Sequence, residues 1–144
     1  MLGLPAVGDD GLPLARAQRN AVSAATGLAL RLGRLLGGDA PAGHGPDADV
    51  LLVVGGCRWV RQPFTVGDVV LTRLPADRLV AVRDGRLMRH EAVHAEQWAR
   101  LGPVRFLGAY LLAATWSWLR TGSPACANRF EVEAGLADGG YRCR

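Results

Sequence analysis

The sequence predicts an α+β fold in which an amphipathic helix comes first, a small sheet follows, and further helices complete the chain. Three observations lead there. A period-3.6 apolar pattern runs over residues 13–37. Short runs rich in Val, Thr and Leu, punctuated by Gly, Pro and Asp, fill residues 50–82. From residue 86 to 138 the pattern is helical again, with breaks at Gly102-Pro103 and near Thr121-Gly122. The 144 residues are enough for one domain, and 49% hydrophobic against 21% charged residues is the balance of a chain that folds.

Residues 1–12 are rich in Gly, Pro and Asp and read as a loose tail. The first helix starts at Pro13 or Leu14, since proline suits a first helical position, and stops before Gly37-Gly38. At 100° per residue, Leu14, Ala21, Ala25, Leu28, Leu32 and Leu35 share one side, with Arg16, Arg19 and Arg34 opposite and Arg31 near the boundary. The pattern describes a helix packed on the domain with a wet Arg face; a membrane-surface or nucleic-acid helix is the competing reading. Residues 39–48 are loop, and His44 in them is expected to face solvent.

Strands are expected at Val50 to Val54, Phe64 to Thr72 and Leu79 to Val82, with Gly67 marking a bulge or bend in the second. A helix follows from about Arg86 to Leu101, then one from about Val104 to Leu119 that is apolar almost all round. Sixteen residues make a rod of roughly 24 Å, short of the ~30 Å hydrocarbon core of a bilayer. That helix is therefore expected to be central and buried, or partly seated on a membrane or partner. A last helix begins near Asn128.

The net charge is +4, carried entirely by 17 Arg because the chain has no Lys. These are dispersed, which argues against a specific nucleic-acid partner. Cys57, Cys126 and Cys143 form no framework and no CxxC pair. Cys126 and Cys143 can pair if the tail folds back, but free thiols in a reducing compartment are the default. With no basic start and apolar run at Met1 to Pro5, a cytoplasmic location is expected.

Residues 90–94 read His-Glu-Ala-Val-His. Histidines four apart on a helix lie one turn apart on the same face, so both imidazoles reach one ion at about 2.0–2.1 Å. Zinc would lower the pKa of a bound water towards ~7, and Glu91 stands where it can accept that proton. Catalytic zinc needs a third protein ligand and one open position. Outside the motif helix, with its Glu91 and Glu96, the only other Glu residues are Glu131 and Glu133. They are about 200° apart on a helix, so one alone can face the site. Glu131 also stands three residues after Asn128, where a capping-box residue would be. Tyr141, Arg129 and Arg89 are candidate donors for a developing oxyanion. Trp98, Trp116 and Trp118 read as core or interface residues.

At this point the chain resembles the gluzincins, HExxH metallopeptidases whose third ligand is a Glu on a later helix. Glu131-Val132-Glu133-Ala134 is similar to their Glu-x-x-Ala-Asp motif, which implies Glu131 as the ligand; Gly135 stands where the Asp that would support the metal histidines is usual. Phe64 to Val70 ahead of this helix is also similar to a bacterial zincin-like domain family of poorly known function. There a Phe-Thr-x-Gly-Asn strand precedes His-Glu-x-x-His-x-x-Gln, matched here through Gln97. The resemblance covers about residues 63 to 138. It implies a zincin-like fold, Zn2+ held by His90, His94 and Glu131, and a strand along the cleft for edge pairing with a peptide or protein substrate. A binding or structural module that keeps the fold is the alternative, because the chain is short for a two-lobed cleft. A peripheral membrane protein is a third.

Overall fold

A computed structural model describes residues 15–44 and 51–144. The tail over 1–12, the helix start at Pro13 and Leu14, residues 45–48 of the loop and the strand start at Val50 lie outside them. Among the described residues the chain is a mixed α+β structure.

Where the apolar pattern predicts one N-terminal helix, two form: α1 (Arg16–Val22) and α2 (Ala25–Leu35). They part at Ala24, whose backbone is left-handed with φ 63°. The two segments bury different faces against different partners, which a single straight helix cannot do. On α1 the buried face is polar: the Asn20 amide donates to Asp68 Oδ1 at 2.7 Å and to the Ala95 carbonyl at 3.0 Å. Arg16 donates to the same Asp68 oxygen at 3.2 Å, and Arg19 reaches Glu96 at 2.9 Å. Of the expected wet Arg face, only Arg31 and Arg34 are exposed. On α2 the buried stripe is Ala25, Ala29 and Gly33, and Leu28 and Leu35 face outward. Small residues occupy that stripe because the helix lies close to the sheet. A Cβ on Gly33 would sit 2.9 Å from Val54 Cγ1.

The sheet has four short strands, β1 (Ala42–His44), β2 (Leu51–Val54), β3 (Phe64–Val66) and β4 (Val69–Leu71), in the order β1-β2-β4-β3. β1 falls in the segment expected to be loop. It pairs antiparallel with β2, so His44 is a half-buried strand residue opposite Leu51 rather than a solvent-facing one. β2 runs parallel to β4, and β3 antiparallel to it. The run from Phe64 is a tight hairpin in which Val66 faces Val69 across Gly67 and Asp68. Gly67 has φ +59°, as a two-residue turn opening on glycine requires. This tip wedges into the break between α1 and α2: a Cβ on Gly67 would lie 2.6 Å from Thr26 N, and the Asp68 N–H donates to Thr26 Oγ1 at 3.2 Å. Gly67→Ala combines a disfavoured φ with overpacking and should cost about 2–3 kcal/mol of stability. Urea denaturation checks this; a loss below about 0.5 kcal/mol would mean the turn is not under that constraint.

Residues 79–82, expected as a strand, belong to α3 (Ala76–Ala81) and the 3-10 turn after it (Val82–Gly85). Pro75 fixes the φ ahead of the first helical residue, and Asp77 in the first turn complements the helix dipole. Leu79 is the one residue α3 buries. These local signals outweigh the strand-like composition.

The sheet is covered on both faces. Val54, Val69 and Leu71 pack with Ala29 of α2; Leu51, Val53 and Val70 pack with Leu79 and with Leu87 and Ala95 of α4 (Arg86–Leu101). α4 has the bounds expected of it. A third cluster joins Ala25 and Trp98 to Phe106 of α5 (Pro103–Thr121) and Phe130 of α6 (Arg129–Ala134). Asn128 caps α6 by accepting from the Phe130 N–H at 3.0 Å, and α7 (Leu136–Gly139) follows.

α5 is not the buried central helix its composition suggests. It buries only Phe106 and Ser117, and most of its large apolar side chains, Trp116 and Trp118 among them, are exposed. Trp98 alone of the three expected core or interface tryptophans lies in the core. No helix among the described residues is long and apolar enough to cross a membrane. Cys126 and Cys143 form a disulfide, not free thiols, because the tail folds back over α6 and α7; Cys57 is a buried free thiol.

Candidate metal centre

α4 turns His90, Glu91, His94 and Gln97 inward, and all four are buried. One helical turn separates the histidines, which brings their Nε2 atoms to 3.0 Å of each other. α6 crosses beneath them with Glu131, whose Oε2 lies 3.2 Å from His90 Nε2 and 3.5 Å from His94 Nε2. Two ligands at about 2.0–2.1 Å from a tetrahedral zinc stand ~3.4 Å apart. The three edges observed bracket that value. Despite its neighbours, Glu131 Oε2 is buried without a well-directed hydrogen bond. Among the described residues, His90, His94 and Glu131 form a group whose ligand atoms, within 4.8 Å of one another, can hold a metal ion.

The far side of each ring determines what faces the centre. His90 Nδ1 lies 3.0 Å from the Gly135 carbonyl, which can only accept, so this nitrogen carries the proton and Nε2 keeps its lone pair. The main chain at Gly135 thus supplies the acceptor for His90. Gln97 serves His94. Its amide nitrogen donates to the Phe130 carbonyl at 3.0 Å and to Glu133 at 3.1 Å, which turns Oε1 towards His94 Nδ1 at 2.8 Å. Two lone pairs and a carboxylate oxygen converge in a buried place, an arrangement that calls for a cation or a proton. Burial lowers the pKa of His94, but Glu131 outweighs it and leaves His94 above its ordinary value. Burial raises Glu131, yet both histidines and the Tyr110 hydroxyl hold it far below the usual carboxylate range.

Glu133, the alternative ligand, puts its carboxylate on Arg100 at 3.1 Å and on Gln97, and gives no atom to the triangle. Glu96 is exposed and engaged with Arg19. Glu91 accepts from the Thr65 hydroxyl at 2.6 Å through Oε2; burial raises its pKa, while Thr65 and the two histidines moderate the rise. Gln97→Leu keeps the volume and removes the acceptor for His94, so zinc affinity should fall about 10–100-fold in chelator competition. Unchanged affinity would leave Gln97 a packing residue only.

His90, Glu91, His94 and Glu131 line a cavity of about 410 Å³ with largely apolar walls. Leu28 and Leu32 of α2 form one side, Phe64 to Val66 of β3 another, and Phe106, Leu107 and Tyr110 of α5 a third. β3 is at the sheet edge, but its Thr65 carbonyl already accepts from the Trp98 indole at 2.8 Å. Tyr141 lines the cavity, with its ring centroid 6.1 Å from that of His90, and burial pushes its hydroxyl pKa up. The end of α7 lies against His90: a Cβ on Gly139 would meet the ring at 2.5 Å.

Arg89 and Arg129 do not line the cavity. Both are exposed, and the Arg129 guanidinium lies 4.7 Å over the Phe130 ring. Tyr110, which the motifs do not point to, does line it, and donates its hydroxyl to Glu131 Oε1. Burial and Glu131 together push the pKa of Tyr110 up, so the phenol keeps its proton. Its spacing of four from Phe106 on a helix is the one sequence signal that could have placed it inward. No protein-family model matches the chain, and neither a curated protein nor a solved structure matches it significantly.

Proposed function

We propose that the protein is a zinc-dependent metallopeptidase with a zincin-like arrangement. The observation that carries this reading is the convergence of His90 Nε2, His94 Nε2 and Glu131 Oε2 beside the buried Glu91, on the floor of an apolar cavity. Two imidazoles and one carboxylate form a donor set suited to catalytic zinc. Zinc held there by His90, His94 and Glu131 would supply Lewis acidity to the scissile carbonyl and make water available as a nucleophile near neutral pH. Glu91 would accept a proton from the attacking water and return it to the leaving amine, and Thr65 holds one of its oxygens in place. Tyr141 lines the cavity as a phenol donor for a developing oxyanion, while the Tyr110 hydroxyl is committed to Glu131. The Leu, Val and Phe walls suit an extended peptide with a large apolar side chain at the cleaved bond. A cytoplasmic location is not part of this proposal, since the Cys126–Cys143 bond fits an oxidising compartment better.

The test is turnover of a mixed fluorogenic peptide library by the zinc-loaded protein. Cleavage is expected, with loss on chelation and recovery on adding zinc. Tight zinc binding without cleavage of any peptide would put a non-catalytic zincin-fold binding module in its place.

A further inference from the structure

At 100° per residue, Val104, Leu107, Leu111, Leu112, Trp118 and Leu119 fall on one side of α5, and all six are exposed, Val104 by 85% and Leu112 by 75%. Leu107 belongs at once to this stripe and to the wall of the cavity. On another side of the cavity α2 presents Leu28, with Leu35 also exposed on that helix. The mouth of the cavity is therefore flanked by two helices with outward apolar faces.

Charge indicates what covers them. Neither α2 nor α5 contains an acidic residue, and both carry exposed arginines, Arg31 and Arg34 on one, Arg105 and Arg120 on the other. A second copy of the chain seated there would bring these like charges together with no carboxylate on either helix to pair them. An anionic surface complements them. Trp116, with the Arg120 guanidinium 5.6 Å over its ring, and Trp118 are side chains suited to a boundary between hydrocarbon and water. A helix face of leucine, valine and tryptophan bordered by arginine is the composition that lies in the interface of a bilayer.

We propose that the outer faces of α5 and α2 seat the protein on an anionic lipid bilayer, with the mouth of the cavity turned towards the lipid. The inference is independent of the metal reading, because no metal-site residue takes part in it. It is tested by co-sedimentation with vesicles of phosphatidylglycerol and phosphatidylcholine, against vesicles of phosphatidylcholine alone. The protein should bind the first, bind the second more weakly, and shift its tryptophan emission to the blue on binding. Leu111→Glu with Leu112→Glu should weaken binding at least about tenfold, since two leucines that would enter the lipid are lost, with the thermal melt unchanged because both side chains are exposed in the free protein. Three results would overturn the proposal: parent protein left in solution with anionic vesicles, a double variant that binds like the parent, or a parent dimer in light scattering that the double variant turns to monomer without any vesicle binding.

Discussion

Glu91→Gln should lower peptide hydrolysis by about 10²–10⁴-fold while leaving zinc content and KM close to those of the parent. The substitution is nearly isosteric, and the amide oxygen can still accept from Thr65, whose hydroxyl lies 2.6 Å from the present carboxylate. What it removes is the ability to take a proton. Glu91 is buried, and among the described residues the other carboxylate lining the cavity is Glu131, itself part of the triangle, so no neighbouring carboxylate is expected to take over that role. A variant with parental kcat would show that Glu91 is a buried structural acid and that the proton goes elsewhere.

The second large effect is expected at Glu131. In the parent, zinc at about a thousand times its dissociation constant should stabilise the fold by about 4 kcal/mol, a rise in Tm of roughly 10 °C for a chain of this size. Glu131→Ala should abolish most of that rise, because it withdraws one of three ligand atoms and leaves the Tyr110 hydroxyl without its acceptor. The comparison with Glu133→Ala separates ligand from support. Glu133 reaches the centre only through Gln97, so its loss should leave most of the zinc-dependent rise intact. Equal effects of the two substitutions would contradict the assignment of Glu131.

Much of the site was legible because it is local. His90, Glu91, His94 and Gln97 lie within two turns of one helix whose bounds the glycine and proline after it define, and Asn128 announces the start of the helix carrying Glu131. What was not legible depends on contacts distant in sequence. The single N-terminal helix divides because Asn20 and Arg16 are drawn to Asp68, some fifty residues away, which periodicity does not reveal. The apolar wheel of α5 suggested burial, but a helix can pack on one narrow side only, and Phe106 with Tyr110 takes that side against Trp98 and Phe130. His44 stands among Pro, Gly and Asp residues that read as a loop, and it is pairing with β2 that makes residues 42–44 a strand. The support of His90 by the Gly135 carbonyl has no side chain to signal it.

The central claim is that His90, His94 and Glu131 hold a zinc ion, and it is tested most directly by elemental analysis of the purified protein beside a His94→Ala variant. The account predicts close to one zinc per chain in the parent and little or none in the variant, with both folded by circular dichroism. A folded parent that takes up no zinc even when zinc is supplied, or a variant that keeps it, would contradict the account.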